Sequence, residues 1–100
     1  MDSWHEQLES AQSSTEVVAV VRGVLASIPA SEWATMPREC GSINIRDTSD
    51  IDGWNLRLAA AARAIWGTAE DGRILYALSN FFLRASVRLS HLRETSLAAD

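Results

Sequence analysis

Apolar residues recur at helical spacing throughout the last third of the chain. Between residues 68 and 93 they lie alternately three and four positions apart, in a seam made of Leu75, Leu78, Phe82, Ala85, Leu89 and Leu92. This alternation is the stripe by which one helix packs along another. It predicts one long amphipathic helix over residues 68–93, about 39 Å long at the usual rise per residue. A helix of that length spans or projects beyond a domain of this size, so the seam also favours self-association.

Two earlier stretches show the same periodicity. Residues 14–28 carry the stripe Val17, Val20, Val21, Val24, Leu25 and Ile28, and residues 49–65 carry the stripe Ile51, Trp54, Leu58, Ala61, Ala62 and Ile65. Gly67 fits the residue that ends a helix, and Thr68 with Asp71 fits the start of the next helix. We therefore predict an antiparallel helical hairpin of residues 49–67 and 68–93, with a link of about two or three residues.

The N-terminal region carries two helix-start signals. Ser3 with Glu6, and Ser13 with Glu16, have the spacing of a capping box, in which the Ser and the acid satisfy free backbone N–H groups. The first signal predicts a short helix over residues 3–12. The second predicts the start of the Val-rich helix that follows.

Prolines delimit the middle of the chain. Pro29 ends the Val-rich helix, and Pro37 closes one helical turn that Ser31 begins and that places Trp33 against one end of a core.

An irregular loop is predicted for residues 37–48, because no periodicity is present there. Within it, Ile43 and Ile45 alternate with polar residues, as in a short strand. A frayed tail is predicted for residues 95–100. The fold class that follows is all-α: a single helical domain of residues 1–100, built as a small bundle of about four helices.

Composition and charge narrow the function classes. The chain is 47% hydrophobic with a net charge of −4, which favours a globular fold and disfavours bulk attraction to nucleic acid or anionic membranes. Cys40 is the only cysteine, so no intrachain disulfide forms, as is typical of a reducing cytoplasm. The polar, acidic N-terminus is unlike a signal peptide. We therefore predict a cytoplasmic protein that does not span a membrane.

A polar stripe on the last helix is the first candidate site. Asn80, Arg84, Arg88 and His91 lie four, four and three residues apart, and so on one helix face. Guanidinium groups bind planar anions bidentately, which favours a groove for phosphate, nucleic acid or an acidic protein. The alternative is a solvated face on which cations are favoured near the helix C-terminus.

Other candidate chemistry is weaker. A nucleophilic Cys40 needs a base within reach, and both histidines are distant in sequence. His5 and Glu9 are too few ligands for a metal site. Asp50 and Asp52 precede a glycine as in a calcium loop, but the first Asp and final Glu of such a loop are missing. We therefore predict no cofactor, no metal and no enzymatic activity.

The leading hypothesis is a non-enzymatic helical module that binds an unidentified protein partner and forms a homodimer, as an adaptor, inhibitor or regulator. Small acidic helical proteins of this kind occur in bacteria and phages, which is an association of class and not of motif. The contact residues predicted are Trp66, Phe81, Phe82, Arg84 and Arg88. Phe81 lies about 100° around the helix from Phe82, so either the buried stripe is wide or one ring faces a partner.

Two alternatives remain. Nucleic-acid or anion binding would use the basic face of the last helix, and a small-ligand or enzyme site would use the loop around Cys40.

Overall fold

The computed structural model describes residues 2–40, 43–68 and 72–99. Its helices are α1 (Asp2–Ser10), α2 (Ser14–Ser27), α3 (Ala30–Trp33), α4 (Thr48–Ile65) and α5 (Arg73–Ala99), with a 3-10 turn at Arg38–Cys40. Across these described segments there is no strand, which confirms the all-α fold class. The molecule is elongated, about 50 × 23 × 23 Å.

α4 and α5 form the antiparallel hairpin that the sequence predicts. The Ser86 hydroxyl in the middle of α5 donates a hydrogen bond to the Asp52 carboxylate near the start of α4 (2.7 Å). Beyond the other end of α4, the Trp66 ring packs edge-on against Tyr76, with centroids 5.9 Å apart. Because the start of one helix meets the later part of the other, the two helices run in opposite directions.

α1 runs in the same direction as α5. Near the start of α1, Trp4 packs edge-on against Phe81, with ring centroids 5.4 Å apart. Past its end, the Ala11 carbonyl meets the Arg88 guanidinium. α5 also contacts α2 and α4, so the last helix is the central element of the bundle.

The segment between α2 and α4 is a crossover. The first turn of α2 and the start of α4 border the same surface hollow, so both helices begin at one end of the bundle. Residues 28–47 must therefore carry the chain back along it, and Cys40 lies beside Ala61 and Ala64 in the second half of α4. A parallel pair of helices needs such a long connection, which explains the irregular stretch at residues 37–48.

The predicted seam of α5 is buried within the chain. Leu75, Leu78, Phe82, Ala85 and Leu89 are at most 1% exposed, and Leu92 packs against them partly buried. The buried stripe is wider than the seam, because Ile74 and Phe81 are buried too. No strand forms at Ile43 and Ile45; instead Ile45 is 2% exposed and the crossover contributes it to the core.

Acidic and hydroxyl side chains fix the starts of α2 and α4. Ser13 accepts a hydrogen bond from the Glu16 N–H (3.2 Å). Asp47 accepts from the Ser49 and Asp50 N–H groups (3.0 and 3.3 Å). Glu16 also reaches back to the Gln12 N–H, and Asp50 to the Arg46 N–H. Asp47 and Asp50 thus cap the start of α4.

The pKa of Asp47 is lowered from its usual value. The main cause is the Ser49 hydroxyl, which donates to the carboxylate (2.6 Å), and the Asp50 N–H adds to it. Both donors stabilise the ionised form.

The predicted link between α4 and α5 is wrong in length. α4 ends at Ile65 and α5 begins at Arg73 and not at Thr68, so the two helices are separated by more than the two or three residues predicted, and Asp71 lies outside the described residues. Thr68 completes the end of α4: its N–H and hydroxyl both donate to the Ile65 carbonyl (3.0 and 2.7 Å). Residues 65–68 thus form a type II turn. Gly67, with φ of +80°, occupies its left-handed position, as glycine can without strain.

Three smaller expectations about helix ends also change. Ser3 lies inside α1, which begins at Asp2, and so it is not at the position that precedes the helix. Pro29, with no side-chain hydrogen bond, occupies the N-cap of α3 in place of Ser31. α5 continues to Ala99, through most of the tail predicted to be frayed.

Candidate functional site

A groove runs between α1 and α5. Its volume is about 410 Å³. It is lined by His5, Leu8 and Glu9 from α1 and by Asn80, Leu83, Arg84, Val87, Arg88 and His91 from α5. We call this feature the α1/α5 groove. All four residues of the predicted polar stripe therefore lie in one concave site.

Two exposed apolar side chains lie in the groove. Leu83 is 51% and Val87 49% exposed, although the other large aliphatic side chains in the first five turns of α5 are buried or nearly so. They are four residues apart, one above the other on the same helix face. The sequence analysis did not identify Leu83 and Val87 as site residues, because they lie outside the apolar seam. Their spacing from Asn80 and Arg84 is the signal that could have identified them.

The Arg88 side chain forms hydrogen bonds within the fold. Its Nε and Nη2 both donate to the Ala11 carbonyl, at 3.2 and 2.7 Å. That carbonyl follows the last residue of α1, where helix geometry leaves acceptors without intrahelical partners and where positive charge is favoured. Arg88 therefore joins α5 to the end of α1, and its role as a partner contact stays a prediction.

The Arg84 side chain, in contrast, is exposed. Within the described parts of the chain it makes no hydrogen bond or ion pair. Glu9, on the opposite wall, is also exposed and does not pair with it. The groove thus presents an apolar strip on α5 and, between that strip and α1, the cation of Arg84 facing the carboxylate of Glu9 across the groove without pairing with it.

The histidines frame the same groove. His5 is half-buried, and its Nδ1 is buried with no hydrogen-bond partner among the described residues. His91 lines the α5 wall beyond Val87. His5 and Glu9, which are too few ligands for a metal site, therefore form part of the groove wall.

The predicted aromatic contacts do not share the groove. Phe81 and Phe82 are both 0% exposed and pack edge-on against each other, so they are core residues and not surface contacts. The buried stripe of α5 is wide enough to include Phe81, so the position of this ring does not require a second partner. Trp66 is 76% exposed but lies at the turn after α4, against Tyr76.

Cys40 lies in a different place. It is 1% exposed, and the shallow hollow beside it is lined by Arg57 and three alanines of α4. Such a buried position is typical of a cysteine that packs as a small apolar residue. In the portion of the chain that the structure describes, no three His, Cys, Asp or Glu side chains come together as metal ligands.

Among the described helices, none has both the length and the apolarity needed to cross a bilayer. Comparison of the chain with protein-family models, with curated proteins and with solved structures found no match.

Proposed function

We propose that this protein is a non-enzymatic helical module that binds another protein through the α1/α5 groove. The observation that carries the proposal is the pair Leu83 and Val87, which line a concave site and which the chain leaves about half exposed. Exposed apolar side chains in a groove rimmed by polar residues are typical of interaction sites. We place this activity in the cytoplasm, as the sequence predicts.

A helix is the form of partner that fits this site best. Two parallel helices bound the groove, and its apolar strip follows the axis of α5. An amphipathic helix laid into such a groove buries residues at every third or fourth position against the strip. Leu83 and Val87 would then contact the apolar face of that helix, and Arg84 would lie beside them on the side toward α1.

Nucleic-acid binding is the second candidate, and the contacts of the stripe disfavour it. Of its cations, Arg88 is occupied by the Ala11 carbonyl and Arg84 alone remains exposed without a partner in the described chain. Nearby, Arg93 approaches Asp52 at 3.8 Å. A nucleic-acid backbone is bound by several clustered cations, whereas this face offers one free guanidinium beside two aliphatic side chains and Glu9.

Self-association remains a prediction, but the apolar seam of α5 from which it was inferred no longer supports it. The seam that favoured it packs against the chain's own helices, as the burial of Leu78 and Phe82 shows. Mass measurement in solution by light scattering tests it directly.

The test of the proposal compares two charged substitutions. The groove variant is the double substitution Leu83→Asp and Val87→Asp. The control is Leu56→Asp, because Leu56 is 73% exposed on α4 and does not line the groove. Tagged wild type, groove variant and control are each used as bait in lysate of the protein's own source, with and without nuclease, and the captured proteins are quantified by mass spectrometry.

We expect a protein captured by wild type and control and lost with the groove variant, while circular dichroism shows all three equally helical. Equal capture by all three baits would contradict a role for the groove. Capture that disappears on nuclease treatment would favour the nucleic-acid alternative.

A further inference from the structure

We infer that the α1/α5 groove receives a second copy of this chain, in a two-fold dimer whose two α5 helices run antiparallel. This inference rests on the proposed function and names the protein that the groove binds. The spacing of the apolar and charged side chains along α5 and α1 supports it. In the lysate experiment, the protein lost with the groove variant is then the untagged copy of this chain.

The apolar strip of the groove is complementary to itself. Leu83 and Val87 lie two positions before and two positions after Ala85, on the same side of α5. A two-fold axis that crosses α5 at right angles, at the level of Ala85, places the two helices antiparallel and exchanges these two positions. Leu83 of each copy then lies opposite Val87 of the other. Both side chains, which are about half exposed in one chain, become covered in the pair.

Two contacts show how α1 and α5 are aligned along the groove. Trp4 packs on Phe81, and the Ala11 carbonyl meets the Arg88 guanidinium. In both contacts the two residues are 77 positions apart in sequence. Because the two helices run in the same direction and rise equally per residue, each residue of α1 lies about level with the residue of α5 that follows it by 77 positions.

The charges of the groove pair about the same axis. By this alignment Glu9 lies about level with Ser86, one position after Ala85, and Arg84 lies one position before Ala85. The axis therefore brings Arg84 of each copy level with Glu9 of the other. Both side chains lie between the apolar strip and α1, and an axis that runs across the groove toward α1 keeps them on that side. Opposite charges thus meet twice in the pair.

These two charges are available for such a contact. Arg84 and Glu9 are exposed, and neither side chain makes a hydrogen bond or ion pair with the described residues. An ion pair between copies therefore forms without breaking one within the chain. Two chains that each carry −4 repel each other in general, so a face that pairs needs balanced charge. The two arginines and two glutamates at the axis supply that balance.

The contact between the copies is short, since each contributes one apolar strip and one pair of opposite charges. Protein interfaces of small area are typically weak. We therefore expect a dimer that forms at high protein concentration and dissociates on dilution.

Charge reversal at the two positions tests the pairing. Sedimentation equilibrium measures the dimer dissociation constant of wild type, of Arg84→Glu, of Glu9→Arg and of an equimolar mixture of these two variants. Protein concentration extends to about 1 mM, where even a weak dimer is populated. Arg22→Glu is the matched control, because Arg22 is exposed on α2, does not line the groove and has no hydrogen bond or ion pair with described residues.

We expect wild type and Arg22→Glu to dimerise equally. Each groove variant alone places like charges opposite each other twice, and should raise the dissociation constant about tenfold, the scale of two exposed ion pairs. The mixture should dimerise about as well as wild type, because Arg84→Glu of one chain meets Glu9→Arg of the other and the two unchanged side chains also meet. A change of fold within either variant cannot produce that recovery.

Wild type that stays monomeric up to about 1 mM would overturn the inference, and so would a mixture that dimerises no better than either variant alone. The Leu83→Asp, Val87→Asp variant should be monomeric, and a dimer that persists in it would also overturn the inference, because the interface would then lie elsewhere.

The proposed function can survive the failure of this inference. If wild type is monomeric and the groove variant loses a different protein from the lysate, the groove binds that protein and not a second copy. Equal capture by all baits would count against the groove itself.

Discussion

The two faces of α5 differ in how completely the chain covers them. Phe82 and Leu83 are neighbours in sequence, yet Phe82 is 0% and Leu83 51% exposed. The face with Phe82 packs against α2 and against α4, which has 18 residues, whereas α1, on the groove side, has only 9 against the 27 of α5. At 1.5 Å per residue α1 covers about 14 Å of a helix about 40 Å long.

The difference teaches that the exposure of the groove residues depends on their direction around α5 and not on where α1 ends. α1 lies beside residues 81–88 of α5, because Trp4 meets Phe81 and the Ala11 carbonyl meets Arg88. Leu83 and Val87 lie within that stretch but point about 140° and about 100° away from Arg88 around the helix, and so they stay available to a partner.

The largest expected effect is the loss of a ring from the covered face. Phe82→Ala should lower the free energy of unfolding by about 3–5 kcal/mol, because it removes buried contacts and leaves a cavity. Urea denaturation followed by circular dichroism measures the change. Leu83→Ala, one position along, is the matched control and should change stability by less than about 0.5 kcal/mol. Similar losses from both variants would contradict the assignment of the two faces.

A smaller effect separates the two arginines of the groove. Arg88→Ala should cost about 1–3 kcal/mol, since the partly buried Ala11 carbonyl loses both of its donors. Arg84→Ala should leave stability nearly unchanged, because its side chain has no partner in the described chain. The same denaturation assay compares the two. If Arg84→Ala is the more destabilising variant, the roles assigned to these residues are reversed.

The smallest effect lies away from both faces, at the start of α4. Hydrogen bonds lower the pKa of Asp47, so its contribution to stability is fully present above the pKa of the unfolded chain, near 4. It is lost as pH falls through the lower pKa of the folded state. Asp47→Asn retains a good capping side chain and should match wild type at pH 7.

On acidification to about pH 3, wild type should lose stability relative to Asp47→Asn, as urea midpoints at the two pH values will show. Parallel pH dependence of the two proteins would mean that the cap does not depend on the charge of Asp47.

Much of the fold was predictable because local chemistry decides it. The seam from Leu75 to Leu89 and the cap at Ser13 follow from spacing and residue type, and the structure confirms them. The C-cap of α4 is Trp66, and Gly67 follows it in the turn. The start of α5 was not predictable from Thr68, because that side chain serves equally well to finish the preceding helix. The hydrogen bonds of a Thr at a helix boundary depend on the path of the chain around it.

The site was predictable only in part. The stripe of Asn80, Arg84 and His91 was found from its spacing, and all three residues line the groove. The inward turn of Arg88 was not, because its acceptor, Ala11, lies 77 residues away in sequence. Phe81 is buried and Leu83 is exposed, and this difference likewise depends on which helices lie beside α5.

The sequence by itself determined the helices, the long apolar face and the polar stripe, because each depends on residues within a few turns of one another. Tertiary structure alone decided that α1 runs parallel to α5 and covers only part of it, and that the crossover supplies Cys40 and Ile45 to the core. It also decided which polar groups find partners. These outcomes depend on contacts between residues far apart in sequence, which periodicity does not encode.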